Sequence, residues 1–156
     1  MTRRFCATAN RDGVYKSGNR GDSFVRVSSF GETSAVVVDP ANSSTIYAAA
    51  AGLFKSVDGG ASWNRLTSGL PDGRATALAV DAGNPRVLYT ALGNGIFRTP
   101  DGGATWSAAQ LGLPDFEFRV NALAVDQRVV FERDVLDGDT VIILPEVIVT
   151  ASRLET

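Results

Sequence analysis

Carboxylates are the side chains in this sequence with the greatest chemical potential, and three of them recur in one setting. Asp39, Asp81 and Asp126 each end a short apolar run. Hydrolysis of a glycosidic bond needs two carboxyl groups that face each other across a cleft, about 5 to 9.5 Å apart. The three aspartates instead occupy equivalent positions after similar runs, so we interpret them as turn-forming residues.

Other catalytic residue types are absent or lie in structural positions. The sequence has no histidine, the commonest general base and metal ligand. Its tyrosines, Tyr15, Tyr47 and Tyr89, fall within strand-like runs, which favours a packing role. The segment Asp137-Gly-Asp139 lacks the further oxygen ligands of a calcium loop and predicts a hairpin turn. We therefore expect no catalytic activity, no metal and no cofactor.

Length and composition indicate one folded domain. The chain has 156 residues, of which 44% are hydrophobic and 21% charged, as in ordinary globular proteins. Its net charge of -2 argues against the uniformly basic surface that binds nucleic acid. A single cysteine, Cys6, excludes an intrachain disulfide.

The sequence has no targeting signal that we recognise. In a signal peptide an apolar stretch follows the basic residues, and none follows Arg3 and Arg4 here. No apolar run is long enough to cross a membrane. We expect no membrane insertion, and a protein that stays in the cytoplasm as synthesised or enters a larger particle.

Charge is distributed unevenly along the chain. The first thirty residues contain six basic and two acidic side chains, whereas the segment from Asp115 onward contains nine acidic and four basic ones. Two interpretations stay open. In the first, the basic and the acidic segment attract each other, within one chain or between copies. In the second, the charged side chains of both segments lie on solvated strand faces.

An internal repeat dominates the sequence. Residues 52–63 match residues 95–106 almost position by position, and residues 13–24 form a fainter copy. A strand of the type Ala-Leu-Ala-Val-Asp occurs three times, at 34–39, 76–81 and 121–126. Each unit reads as four short strands in a period of roughly 40 to 45 residues, which is typical of a propeller blade. The sequence therefore predicts an all-β fold of four-stranded propeller blades.

Each repeat contains an Asp-Gly-Gly turn followed by a tryptophan. Aspartate bonds the backbone amides of its own turn, glycine adopts positive φ without steric cost, and the indole covers the corner while its N–H finds an acceptor. These segments resemble the Asp-box, or bacterial neuraminidase repeat, of sialidases, sortilin-type receptors and xyloglucan-active glycosidases. The resemblance rests on Ser56, Asp58, Gly59, Gly60 and Trp63, on Thr99, Asp101, Gly102, Gly103 and Trp106, and on the degenerate copy Ser17, Asn19, Gly21 and Phe24.

The resemblance implies a fold and leaves the function open. In that superfamily the Asp-box is a structural turn at the blade periphery, usually away from the active site. Sialidases also need an arginine cluster and a tyrosine paired with a glutamate, and we cannot place that set here. The arginines sit mainly at blade positions such as Arg65, Arg86 and Arg98.

The repeats predict two regions. Residues 1–126 form blades, the first partial, the second and third complete, and 120–126 a closing inner strand; residues 127–156 form a C-terminal β hairpin or arm. Three blades are too few for a closed ring, because typical propellers have four to eight. Two copies can share a six-bladed ring by exchanging the late strand, the tail can form a divergent fourth blade, or the chain can belong to a larger assembly. We favour a homo-oligomer.

The tail carries the predicted interface. The segment Leu144–Arg153 alternates and is rich in β-branched residues, as in strands that add to the sheet edge of another chain. We expect contacts at Val120, Leu123, Val125, Val147, Ile148 and Val149. The sequence thus predicts a non-catalytic scaffold that self-assembles and contacts a protein partner through its tail, for instance within a phage virion. The alternative is a carbohydrate-binding or degenerate glycoside-hydrolase-like propeller module.

Overall fold

The computed structural model describes residues 6–93, 95–109, 118–125, 135–136, 139–143 and 147–153. Every regular element in these ranges is a β-strand, so the predicted all-β class is confirmed there, and no helix in them could cross a membrane. The strands are β1 (Cys6–Asn10), β2 (Gly13–Ser17), β3 (Val25–Arg26), β4 (Ala35–Val38), β5 (Ile46–Ala50), β6 (Gly52–Ser56), β7 (Asn64–Leu66), β8 (Ala75–Val80), β9 (Leu88–Leu92), β10 (Gly95–Thr99), β11 (Ser107–Ala108), β12 (Phe118–Val125), β13 (Val135–Leu136), β14 (Asp139–Ile143) and β15 (Val147–Arg153).

Two complete repeats form two regular sheets. The second sheet runs β4-β5-β6-β7 and the third β8-β9-β10-β11, and in both sheets each strand pairs antiparallel with its neighbour in the chain. Short apolar, β-branched runs suit such strands, and the turns between them use glycines at positive φ, for example Gly59 at 72° and Gly102 at 74°. Sequential pairing keeps the contacts of each sheet local.

The first sheet has three strands in the described residues, in the order β1-β2-β3. Strand β2 corresponds to β6 in the repeat, so β1 to β3 match the second, third and fourth strands of the next sheet. No described strand fills the position in the first sheet that β4 and β8 fill in their own sheets. One edge of β1 is therefore left without a backbone partner among the described residues.

The fourth sheet has a different chain path, β12-β15-β14-β13. The last strand of the chain lies next to the inner strand, and the register of β12 with β15 shifts between Val120 and Ala122. The third sheet shifts at the equivalent place, between Ala75 and Ala77 of β8. Thus β15 takes the place relative to β12 that β9 takes relative to β8, although the tail does not share the repeat sequence.

The core lies between neighbouring sheets. One cluster joins the second and third sheets through Tyr47, Ala49, Leu53, Ala75, Leu78, Leu88, Leu92 and Trp106. A second cluster joins the third sheet to β12 through Ala77, Val87, Tyr89, Ala91, Ile96 and Val120. Leu53 and Leu88 are fully buried, and burial of such a side chain stabilises a fold by about 1.5 to 3 kcal/mol.

Candidate functional site

The turn after β6 is a closed hydrogen-bonded corner. The buried Ser56 Oγ donates to Asp58 Oδ1 over 2.8 Å and accepts the Gly60 N–H over 2.8 Å. Asp58 in turn accepts the backbone N–H of Ser62 over 2.8 Å, and its other oxygen accepts the Ser62 hydroxyl. Both carboxylate oxygens are engaged in the turn, so Asp58 has a structural role.

The turn after β10 repeats this geometry. Thr99 Oγ1 donates to Asp101 Oδ1 over 2.7 Å and accepts the Gly103 N–H over 2.9 Å. Asp101 accepts the Thr105 N–H over 2.9 Å and the Thr105 hydroxyl. Serine at 56 and 62 corresponds to threonine at 99 and 105. Either residue fits, because the corner uses only the side-chain hydroxyl.

The degenerate copy keeps the corner with an amide in place of the carboxylate. Ser17 Oγ donates to Asn19 Oδ1 over 2.9 Å and accepts the Gly21 N–H over 2.8 Å. Asn19 accepts the Ser23 N–H over 3.0 Å. Arg20 adopts a φ of 64° where the next repeat has a glycine, and Phe24 is 42% exposed. The first turn thus keeps its hydrogen bonds although it has no carboxylate at position 19.

The turns also join the sheets to each other. The Lys16 ammonium, on β2 of the first sheet, donates to the Gly59 carbonyl over 2.8 Å. Lys55, on β6 of the second sheet, donates to the Gly102 carbonyl over 2.6 Å, and the Tyr47 hydroxyl donates to the same oxygen over 3.0 Å. The turns at Gly59 and Gly102 therefore accept hydrogen bonds from the preceding sheet, and these bonds join neighbouring sheets.

The recurring aspartates form turns, as predicted. Asp39 Oδ1 accepts the Ala41 N–H over 2.8 Å, and Asp81 Oδ1 accepts the Gly83 N–H over 2.8 Å. Asp126 lies outside the described residues. Tyr47 is 1% exposed, and burial, with a smaller contribution from Asp39, raises the pKa of its hydroxyl to about 12. This hydroxyl stays protonated and acts as a donor in the core.

Acid should destabilise the turns. The Ser62 hydroxyl, with the Ser62 N–H and Ser56, lowers the pKa of Asp58 to about 2, and Thr105 holds the pKa of Asp101 well below its usual range. An aspartate of an unfolded chain has a pKa of about 3.9, so this stabilisation is complete above that pH and is lost as the pH falls toward 2. We expect the urea midpoint to fall between pH 5 and pH 2.5, values chosen to bracket the unfolded pKa.

The double variant Asp58→Asn, Asp101→Asn is the matched control. Asn19 occupies the same position in the first turn, so asparagine fits the corner. The variant should have a lower midpoint at pH 5 and a smaller change down to pH 2.5. An acid dependence as steep as that of the parent would show that other carboxylates cause it.

The seam between the second and third sheets is tightly closed. Trp106 is 5% exposed, and its backbone N–H donates to the Ser68 carbonyl over 3.0 Å. The turn at Gly69 lies so close that a Cβ there would sit 1.9 Å from the Trp106 carbonyl oxygen. Leu66 and Leu70 pack against the same cluster. The buried Trp106 indole N–H has no hydrogen-bond partner among the described residues.

The equivalent seam between the first and second sheets is open. Trp63 is only half-buried, and its indole N–H donates to the Val27 carbonyl over 2.7 Å, as predicted. Next to it lies a groove of about 790 Å³, which we call the aromatic groove. It is lined by Arg26, Val27, Ser28, Ser29, Phe30, Phe54, Gly60, Ala61, Ser62 and Trp63.

Sequence reasoning missed the aromatic groove. It treated Trp63 and Trp106 as equivalent, and it assigned no role to Phe30. One signal was available: in the first repeat Phe30 stands between the serines and the positive-φ Gly31, whereas Ser68 directly precedes Gly69. This additional bulky residue is one local difference between the two seams; a second is that Glu32 follows Gly31, whereas Leu70, which packs against the cluster at Trp106, follows Gly69.

The predicted interface positions are all paired or packed within the chain. Val120 is buried against the third sheet, and Leu123 and Val125 are partly buried beside it. In the backbone register Val147, Ile148 and Val149 lie opposite Val125, Ala124 and Leu123. Since β15 pairs with β12 on one edge and β14 on the other, contact with another chain stays a prediction. No group of three Asp, Glu or Cys residues in the described ranges could hold a metal.

No protein-family model matches the chain, and no curated protein matches it. Solved structures of other proteins do match the chain. An ancestral GH74 enzyme matches 80% of this chain with a TM-score of 0.62 and 22% identity, and the match spans 20% of that enzyme. The GH74 enzyme of Niastella koreensis matches 78% of this chain with a TM-score of 0.56 and 26% identity, spanning 21% of that enzyme. The chain thus spans about a fifth of the length of these structures, and the similarity fits a β-propeller fold.

Proposed function

We propose that this protein is a non-catalytic β-propeller module whose function is assembly through its incomplete first sheet. The proposal depends on one observation: the inner strand of the second sheet is not fully covered. All four residues of β4, Ala35–Val38, are only half-buried. The equivalent strand β8 is mostly buried, with Ala75 at 0% and Ala77 at 4% exposure. Among the described residues, no inner strand of the first sheet lies beside β4.

Covering β4 would be favourable. Its sequence is Ala-Val-Val-Val, and burying the part of the three valines that is still exposed contributes on the order of 1 to 2 kcal/mol. The free edge of β1 would gain backbone hydrogen bonds at the same time, and such unpaired edges are natural sites for strand addition. We therefore expect an extended apolar strand to add to the free edge of β1 and to pack against β4.

A second copy of the chain can supply this strand. Its β12 ends in Ala-Leu-Ala-Val, the inner-strand type of the repeat. Exchange of identical elements between copies is a low-cost route to a dimer, and here β12 would leave β15 for the β1 edge of the neighbour. The basic N-terminal thirty residues and the acidic C-terminal part favour this head-to-tail contact.

The strand pairing in the other sheets predicts which residue of an incoming β12 would lie opposite which residue of β1. In each sheet with an inner strand, the last valine of that strand lies opposite the first residue of the next: Val38 opposite Ile46, Val80 opposite Leu88, and Val125 opposite Val147. In the first sheet the corresponding first residue is Cys6, which pairs with Ser17 as Ile46 pairs with Ser56. An incoming β12 would place Val125 opposite Cys6.

Disulfide trapping tests the assembly. A chain with the native Cys6 is mixed with a Cys6→Ser, Val125→Cys variant, so that a mixed disulfide can form only between chains. Directly paired strand residues lie within the Cα separation that a disulfide accepts. We expect a covalent dimer on mild oxidation, and by light scattering a native mass that is a multiple of the 16.4 kDa chain.

The matched control moves the cysteine by one residue. A Cys6→Ser, Ala124→Cys variant carries the thiol on the adjacent residue of the same strand and should form much less dimer. A monomeric mass at all concentrations, with no difference between the two cysteine positions, would contradict assembly through this edge. A role for β15 as an arm can be examined in the same way, by truncation after Val125.

We further propose that the repeated corners are Asp-boxes with a structural role. The support is that Asp58 and Asp101 use their carboxylates within the turn, and that Asn19 retains the corner without charge. The lack of histidine and the use of Asp39 and Asp81 as turn formers also favour a non-catalytic module.

A carbohydrate-binding or degenerate glycoside-hydrolase-like module is the second candidate. It is favoured by the GH74 enzymes among the structural neighbours and by the half-buried aromatic side chains and the exposed arginine of the aromatic groove. A glycan array and a hydrolysis assay on polysaccharides distinguish the candidates. Robust turnover would contradict the non-catalytic proposal, whereas binding without turnover would leave it intact and add a ligand.

A further inference from the structure

The aromatic groove has the size of a small-ligand site. Its volume of about 790 Å³ lies within the range of known ligand pockets, roughly 300 to 1,000 Å³. It exists because the first and second seams differ: the turn at Gly69 closes over Trp106, whereas Phe30 stands ahead of the corresponding Gly31 and Trp63 is left half-buried. The chain therefore contains a closed copy of the same seam as an internal reference.

One wall of the groove is aromatic. The rings of Phe30 and Phe54 stack with centroids 4.2 Å apart and an interplanar angle of 5°. Trp63 meets Phe30 edge to face, at 5.2 Å and 85°. All three side chains are only half-buried, so ring surface is left open to a ligand. Such a surface favours the flat, apolar face of another ring.

The groove is also lined by an arginine, Arg26, that has unused hydrogen-bond donors. Arg26 is exposed, and its Nε donates to the Ser28 carbonyl over 2.8 Å, which fixes the side chain. Its Nη atoms have no carboxylate partner among the described residues, and no acidic side chain lines the groove. Arg65, the equivalent residue of the next repeat, has the Asp72 carboxylate 3.5 Å away. At Arg26 that carboxylate is missing.

Some polar groups of the groove already have hydrogen-bond partners within the protein, so a ligand does not have to supply them. The Trp63 indole N–H is used by the Val27 carbonyl, and the Ser28 hydroxyl accepts the Val14 N–H over 2.7 Å. The exposed Ser29 hydroxyl at the rim adds a neutral hydrogen-bonding group. The groove thus combines a positioned aromatic wall, one uncompensated positive charge and a polar rim.

We propose that the aromatic groove binds a small ligand that carries a carboxylate next to a ring, the ring against Phe30, Phe54 and Trp63 and the carboxylate on the Arg26 guanidinium. Guanidinium and carboxylate match in geometry and form two parallel charge-assisted hydrogen bonds. Two sources share this chemistry, an acidic sugar and an aromatic acid. The site is independent of assembly, and an acidic sugar would specify the ligand of the carbohydrate alternative.

Calorimetry and NMR on the full chain test this site. The probes are digalacturonate, phenylacetate, neutral digalactose and acetate. We expect one or both ring carboxylates to bind and to shift the indole N–H signal of Trp63 while that of Trp106 stays unchanged. Digalacturonate alone would identify the source as an acidic sugar, and phenylacetate alone as an aromatic acid. Digalactose and acetate each lack half of the recognised chemistry and should bind much more weakly.

The matched variants are Arg26→Gln and Arg65→Gln. Loss of a charge-assisted pair should weaken ring-carboxylate binding roughly tenfold to hundredfold in Arg26→Gln, and Arg65→Gln should bind as the parent does. Absence of binding by both ring carboxylates at millimolar concentration, equal binding of digalactose, or equal binding by Arg26→Gln would overturn the proposal. The solution mass is measured on the same samples, so failure of this site and failure of assembly are separate results.

Discussion

Replacing Gly69 with alanine should lower the free energy of unfolding by more than about 3 kcal/mol. Gly69 has a φ of 80°, which alone disfavours a side chain, and its Cβ would sit 1.9 Å from the Trp106 carbonyl oxygen. That oxygen belongs to the backbone and cannot rotate away. The turn must leave Trp106, and the hydrogen bond from the Trp106 N–H to the Ser68 carbonyl is lost.

Gly31→Ala separates the two contributions. Gly31 has nearly the same φ, 79°, but a Cβ there would meet nothing within 4 Å. It should therefore cost only the backbone strain, about 1 to 2 kcal/mol. Urea unfolding followed by circular dichroism gives both values. Equal losses of stability in the two variants would show that the turn at Gly69 is not packed on Trp106 as described.

The two tryptophans should differ strongly when they are truncated. Trp106→Ala removes a side chain that is 5% exposed and belongs to the cluster joining the second and third sheets, so we expect a loss of about 3 to 5 kcal/mol. Trp63→Ala removes a half-buried side chain beside an open groove and should cost no more than about 2 kcal/mol. The sequence motif around the two residues is nearly the same, so only their packing predicts a difference.

Fluorescence quenching in two single-tryptophan variants offers an independent measurement of the same asymmetry. Acrylamide should quench the Trp63 fluorescence in a Trp106→Phe variant much more than the Trp106 fluorescence in a Trp63→Phe variant. Similar quenching, or a Trp63→Ala variant as unstable as Trp106→Ala, would mean that both seams are closed in solution. The aromatic groove would then not exist as a ligand site.

Local features of the fold were predictable because their causes are local. A hydroxyl, a carboxylate and two glycines within five residues are sufficient to form the corner at Ser56, and the same residue types predicted the corner at Thr99. The amide that replaces the carboxylate at Asn19 still accepts the Ser23 N–H, so even the degenerate copy was recognisable. The strands between these corners follow from short apolar runs bounded by turn residues.

The chain path of the fourth sheet and the aromatic groove could not be predicted in this way, although a divergent fourth blade was one of the alternatives for the tail. The pairing of β15 with β12 joins segments with unrelated sequences, and it depends on a free strand edge rather than on a motif. The groove depends on whether one turn reaches the next tryptophan, as the turn at Gly69 reaches Trp106 and the turn at Gly31 does not reach Trp63. Neither outcome is a property of a short window of sequence.

The amino-acid sequence alone therefore specified the repeat, the corners and the all-β class, because hydrogen bonds within a turn and alternation along a strand involve near neighbours. The tertiary structure decided which seams are closed, which strand β12 pairs with and where the inner position is empty. Those features arise from the packing of whole sheets against each other, in which a side chain of one repeat meets the backbone of the next. Two copies of one motif, around Trp63 and Trp106, consequently have one local geometry and two different surroundings.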